Sequence, residues 1–194
     1  MTPAKYAIRG LTLSDDHYTV EQNLARNKYE ALDDDGNTVL RAKQKAFKLK
    51  EEFPFVNGAG EDVFTVSAQQ IRDYEGRYVL TEAETGDDVV VLDHEYSLLE
   101  QATGVTWKIR AADTDAVLAE ITSRKVVGLF RTGLLGNLIP HKYAITDSEG
   151  TQVGTISGRL SMKDRYDVEL HDTESVPRES VVAAAMVIDA IEGN

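Results

Sequence analysis

Through most of the chain, apolar and polar residues alternate at a spacing of two, in short runs broken by Asp, Asn and Gly. That period marks a β-strand with one buried face. The pattern also repeats. Lys28-Tyr29-Glu30-Ala31-Leu32-Asp33-Asp34-Asp35-Gly36-Asn37-Thr38-Val39 can be laid over Lys142-Tyr143-Ala144-Ile145-Thr146-Asp147-Ser148-Glu149-Gly150-Thr151-Gln152-Val153. Each copy has a cation, an aromatic, an alternating stretch, an acidic turn with glycine and a second alternating stretch. Arg77-Tyr78-Val79-Leu80 with Gly86-Asp87-Asp88-Val89 fits after one inserted residue, and 53–66 fits around Gly58 and Gly60. Thr106-Trp107-Lys108-Ile109 fits with Asp113-Thr114-Asp115 in place of the glycine turn. Aromatic and β-branched residues suit a half-buried pleated surface, and Asp, Asn and Gly supply the turn chemistry, so each unit reads as a β-hairpin.

With their flanks, these units predict twelve strands, near 17–22, 28–33, 37–45, 53–57, 62–70, 77–82, 88–94, 105–110, 116–124, 142–147, 151–160 and 164–171. Short strands at this spacing without intervening helices indicate a barrel or a sandwich. The pattern then changes. Ser175-Val176-Pro177-Arg178-Glu179 has the proline and acid of a helix start, Gly193 suits a helix end, and every residue from 181 to 188 is apolar. A helix that is apolar all round must be surrounded by protein. Barrel diameter grows with strand number, and an eleven-stranded barrel already holds a central helix. The expected fold is therefore mainly β: a closed antiparallel barrel of about twelve strands threaded by its C-terminal helix, as a single domain over 1–194. The competing architecture is a β-sandwich that uses the helix as a dimer contact.

This order of features resembles the LURP-one-related family of the tubby C-terminal-like and phospholipid-scramblase-like superfamily. The resemblance rests on the hairpins at 28–39 and 142–153, the Arg41-Ala42-Lys43-Gln44-Lys45 strand, and the terminal helix ending Val187-Ile188-Asp189-Ala190-Ile191. It implies a twelve-stranded barrel around a C-terminal helix and supplies no catalytic residues. Tubby domains bind phosphoinositides and scramblases act at membranes, so the resemblance also implies a lipid-facing role.

Composition narrows the chemistry. The 194 residues contain no cysteine, which excludes disulfides, thiolate zinc sites and a cysteine nucleophile. A net charge of -12 argues against nucleic acid as a partner, because phosphate binding needs cations. The acid excess also matches proteins that stay soluble in brine, so a halophilic source is one possibility. The longest apolar run, 181–188, is far short of the about 20 residues of a spanning helix. Together with the lack of a signal-like N-terminus, this suggests a cytoplasmic protein, peripheral at a membrane if it meets one.

Two features are candidate sites. Arg41, Lys43 and Lys45 would share one strand face, with Lys48 and Lys50 following. Such cations could hold an anionic lipid headgroup through charge-assisted hydrogen bonds, or simply form a solvated face that discourages edge pairing. The second is the long apolar connection 126–140, where Phe130 and Arg131 lie between Arg124, Lys125 and Lys142. It could dip into a membrane interface, dock a protein partner, or fold back as a lid over one barrel mouth. Asp33-Asp34-Asp35-Gly36-Asn37 lacks calcium-loop spacing and reads as a turn. The histidines are scattered, no nucleophile elbow occurs, and Trp107 reads as core. No catalytic residue, metal ligand or cofactor is assigned. The expectation is a non-enzymatic module that binds anionic lipid, with a protein-interaction role as the alternative.

Overall fold

The computed structural model describes residues 6–23, 28–42, 52–72, 75–95, 106–123, 142–159, 165–171 and 175–192. The strands are β1 His17–Asn23, β2 Lys28–Leu32, β3 Thr38–Ala42, β4 Phe53–Asn57, β5 Asp62–Arg72, β6 Glu75–Glu82, β7 Asp88–Glu95, β8 Thr106–Ala111, β9 Val117–Ser123, β10 Lys142–Asp147, β11 Gln152–Arg159 and β12 Arg165–Leu170. Among the described residues one helix, α1, spans Arg178–Glu192. Each strand pairs antiparallel with its neighbours in sequence, and β1 pairs with β12, so the sheet closes into a barrel. Closure leaves no free sheet edge. The sandwich alternative is displaced.

The expected hairpins form with a shared turn geometry. In three of them the residue heading the turn donates its N–H to the carbonyl four residues on, as in Asp33 to Asn37 (3.0 Å), Asn57 to Glu61 (2.9 Å) and Asp147 to Thr151 (2.9 Å). The fourth residue of each is a left-handed glycine, Gly36, Gly60 and Gly150, at φ 81, 88 and 83°. A side chain heads each turn as well: Asn57 Oδ1 accepts the N–H groups of Ala59 and Glu61, and Asp147 Oδ1 those of Glu149 and Thr151. Two hairpins are one residue longer, with Gly86 N–H donating to Glu82 and Asp115 N–H donating to Ala111. Asp115 occupies the glycine position at φ 57°, where a β-carbon is normally penalised. It is tied down by Arg77 Nη2 at 3.2 Å from its carboxylate and by Arg110 Nη1, which donates to its carbonyl at 3.0 Å.

β12 and β1 form the sixth hairpin without a turn. Leu170 N–H donates to Asp16 O at 2.7 Å where the turn would be, and both chain ends leave the wall there. Residues 6–16 close this end of the barrel. Ile8, Leu11 and Leu13 are buried, Arg9 N–H donates to Glu82 at 2.9 Å, Asn57 Nδ2 donates to Gly10 O at 3.0 Å, and Tyr6 OH donates to Asp113 at 3.3 Å. The helix enters at the same end. Pro177 O accepts the N–H of Val181, and the buried Ser180 hydroxyl donates to Tyr6 O at 3.4 Å, joining helix and N-terminal segment.

Inside, small residues make room for the helix. Val181 through Ile188 are all buried, Ala183, Ala184 and Ala185 among them. Gly154 on β11 is a close-approach site: a β-carbon there would lie 2.3 Å from Glu169 O and 3.1 Å from Ile145 and Leu170 side-chain carbons. Toward the opposite end the lumen is filled by rings. Tyr29, Phe53, Tyr78, Trp107, Tyr143 and Tyr166 come from β2, β4, β6, β8, β10 and β12, every even-numbered strand contributing the aromatic nearest this end, and pack into or against the core. The repeated cation–aromatic dipeptides of the sequence, Lys28-Tyr29, Arg77-Tyr78, Lys142-Tyr143 and Arg165-Tyr166, supply four of the six. Trp107 is buried as expected and stacks on His94 with centroids 4.4 Å apart. Burial pushes the Tyr78 phenol up from its ordinary value, and it does the same to Tyr18 despite the hydrogen bond from Asp15 N–H.

Candidate anion-binding end of the barrel

Antiparallel connectivity sorts the connections between strands into two sets. The turns 33–37, 58–61, 83–87, 112–116 and 148–151 all lie at the end through which α1 enters. The connections 24–27, 43–52, 73–74, 96–105, 124–141 and 160–164 join strand ends at the other. The first set contains nine Asp or Glu and no Lys or Arg. The second contains nine Lys or Arg against five acids. In a chain of net charge -12, the basic residues are concentrated where the longer connections leave the strands.

All but two of the candidates proposed from sequence belong to that second set. Lys43, Lys45, Lys48 and Lys50, and Arg124, Lys125, Phe130 and Arg131, lie outside the described residues; the strands flanking them place both segments between strand ends at this end of the barrel. Lys142 is exposed on the first residue of β10, at the same end. The alternation expected for β3 holds as far as Ala42: Leu40 and Ala42 are buried, and Arg41 faces outward. Arg41 is already engaged, its Nε donating to Glu30 Oε1 on β2 at 2.7 Å.

Arg41 follows a pattern along the outer wall that single-strand reading missed. Arg165 on β12 pairs with Glu21 on β1. Arg77 on β6 lies 3.3 Å from Asp93 on β7, and Arg110 on β8 lies 2.7 Å from the same carboxylate. Arg77 also reaches Asp115, in the turn beyond β8, at 3.2 Å. Val79 and Val91, one row further along the same strands, are only 2 and 3% exposed. The signal was present in sequence as opposite charges in register across neighbouring hairpins, but it is readable only once register is known.

At the acidic end the carboxylates serve the turns. His17 contacts Asp34 through Nδ1 at 2.8 Å and Asp167 through Nε2 at 3.4 Å, stitching the β2–β3 turn to the β1–β12 seam. Asp33 forms the turn expected of it. Desolvation works against its charge, but hydrogen bonds from the Asn37 side chain and from the backbones of Asn37, Asp35 and Gly36 together hold its carboxyl below the usual carboxylate range. Among the described residues no group of three or more metal-ligating side chains could hold an ion, and no helix is long and apolar enough to cross a membrane.

The fold is thus a closed twelve-stranded antiparallel barrel around one C-terminal helix. The LURP-one-related family profile matches residues 38–189, most of the barrel and its helix, and the chain belongs to that family. Among solved structures, a protein from Arabidopsis thaliana determined by X-ray crystallography is similar at 13% identity, with 94% of this chain and 99% of that chain covered and a TM-score of 0.42. No curated protein matches the chain.

Proposed function

We propose that this protein is a non-enzymatic barrel that binds anionic phospholipid at a membrane surface through its basic connections. The observation that carries this reading is the sorting of charge between the two ends. Each Lys or Arg near an anionic leaflet is worth about 1 kcal/mol, so Lys43, Lys45, Lys48 and Lys50 together would contribute about 4 kcal/mol, roughly a thousandfold in partitioning. The apolar stretch of 126–140, bordered by Arg124, Lys125 and Lys142, adds the interfacial component that charge alone does not provide. The headgroup is left to cations of the connections, since Arg41 has Glu30 as its partner.

Co-sedimentation with anionic and neutral vesicles over a salt series tests this. The wild type should bind anionic vesicles only, and binding should weaken as the Debye length shortens below about 8–10 Å. A folded Lys43/Lys45/Lys48/Lys50→Glu variant should lose that binding. A wild type that ignores anionic vesicles at low salt contradicts the proposal and redirects attention to a protein partner for the 126–140 segment.

A further inference from the structure

We infer that Asn57 is a deamidation site, and that loss of its amide loosens the N-terminal segment 6–16 from the tight-turn end of the barrel. This goes beyond the lipid-surface reading and does not rest on it. Asn57 alone among the asparagines of the sequence precedes a glycine, Gly58. Glycine leaves the following backbone nitrogen unhindered and free to approach the asparagine Cγ, and asparagine is among the thermolabile side chains.

Three equivalent turns show why the amide matters. Asp33, Asn57 and Asp147 each head a turn with Oδ1, which accepts backbone N–H groups. The second oxygen of Asp33 accepts from Asn37 Nδ2 at 3.1 Å, and that of Asp147 from Ser175 Oγ at 3.3 Å. Both face donors, as a carboxylate requires. At Asn57 the corresponding atom faces acceptors: Nδ2 donates to Gly10 O at 3.0 Å and to Glu61 Oε2 at 2.9 Å. An amide offers two N–H donors there, whereas a carboxylate offers none. The turn tolerates aspartate at this position, but the tie to Gly10 does not. Gly58 is required for a separate reason, since a β-carbon on it would lie 2.4 Å from Thr38 O. The fold therefore keeps a labile Asn-Gly pair where the N-terminal segment is fastened to the β4–β5 turn.

The surroundings suit the reaction. Asn57 is half-buried and residues 58–61 are exposed, so water reaches them. The N–H groups of Ala59 and Glu61 already point at Oδ1, the atom that takes up negative charge as the Gly58 nitrogen adds to Cγ. The new Cγ–N bond closes a cyclic imide, the Cγ–Nδ2 bond breaks, and ammonia leaves with the Gly58 proton. Water then opens the imide, at Cγ to give aspartate or at the backbone carbonyl to give isoaspartate. Either product removes the donor to Gly10 O and adds a negative charge beside the exposed Glu61 and Asp62. Residues 6–16 close the end where α1 enters, so that closure slackens irreversibly as modified chains accumulate.

Ageing the folded full-length protein in mildly alkaline buffer, followed by proteolysis and mass mapping, tests the site. The peptide carrying Asn57 should lose its amide ahead of those carrying the other asparagines and yield an aspartate–isoaspartate pair. Loss at Asn57 no faster than elsewhere overturns the assignment. The consequence is read by hydrogen exchange on full-length Asn57→Asp. Exchange across 6–16, where Arg9 N–H donates to Glu82 and Leu11 N–H to Ile8 O, should be about fivefold faster or more than in wild type. The Glu61 amide should keep its protection, because aspartate heads the equivalent turns at 33 and 147. Unchanged exchange across 6–16, or protection lost throughout the barrel, overturns the loosening. Aged wild type, separated from unmodified protein by its added charge, must show the same faster exchange across 6–16; protection equal to that of fresh protein overturns it as well.

Discussion

The two ends of this barrel are built by opposite rules. At the tight-turn end every connection is short, each is closed by backbone hydrogen bonds across the turn, and each holds one left-handed residue, Gly36, Gly60, Gly86, Asp115 or Gly150. The N-terminal segment and the entry of α1 seal it through Arg9–Glu82, Tyr6–Asp113 and Ser180–Tyr6 contacts. At the other end the connections run up to the eighteen residues of 124–141, carry the cations, and leave from a ring of inward-facing aromatics. At one end the Asp33 and Asp147 carboxylates are spent on turn geometry. The difference teaches that antiparallel connectivity, not overall composition, decides which connections share an end of the barrel.

The comparison can be pressed from its strongest consequence to its weakest. Removing α1 by ending the chain at His171 empties the lumen that both ends share, so the truncated protein should show no cooperative thermal transition; a sharp transition would mean that the wall folds alone. Gly154→Val should come next, because its side chain meets the Glu169 carbonyl and the packed Ile145 and Leu170. Overpacking of this kind costs about 1–3 kcal/mol, read as a lowered midpoint in urea.

The turns offer a finer test. Gly150→Ala at φ 83° should destabilise by about 1–2 kcal/mol because a β-carbon is forced into the left-handed region. At Asp115 the two effects separate. Asp115→Gly relieves the left-handed backbone while losing the contacts to Arg77 and Arg110, so it should stay close to wild type in stability, whereas Asp115→Ala should be measurably less stable than both.

The smallest effect concerns pH. The Asp33 carboxyl is held below the usual range in the folded protein, so its charged form contributes stability above that range, and the contribution is lost as pH falls through the folded value. Asp33→Asn should therefore be less stable than wild type at neutral pH, with the gap closing in acid; a gap independent of pH would show that the hydrogen-bonding shape, not the charge, matters there.

Much of the fold was legible in the sequence because the same hairpin recurs. The dipeptides Lys28-Tyr29 and Lys142-Tyr143, with glycine eight residues after each cation, fix strand, register and turn together, and the apolar run 181–188 then demands an enclosure. The exception was legible too, since Asp113-Thr114-Asp115 stands where the other turns use glycine. The N-terminal segment 6–16 was not legible: Ile8, Leu11 and Leu13 alternate too irregularly for a strand and too briefly for a helix, and their burial depends on five turns being brought to one end. The candidate site was read only in part. Lys43, Lys45, Lys48, Lys50, Arg131 and Lys142 stand out as residues, but their common end and the engagement of Arg41 by Glu30 follow from barrel closure and cross-strand register, which no single segment encodes.

The most direct test of the division between the ends exchanges their charge in separate variants of equal size. Lys43/Lys45/Lys48/Lys50→Glu alters the longer connections, and Asp35/Glu84/Asp87/Glu149→Lys alters the tight turns at exposed side chains. Both are compared with wild type for sedimentation with phosphatidylcholine/phosphatidylserine vesicles after folding has been verified by circular dichroism. The account predicts that the first variant stays in the supernatant and the second binds at least as well as wild type. A first variant that sediments like wild type would contradict it.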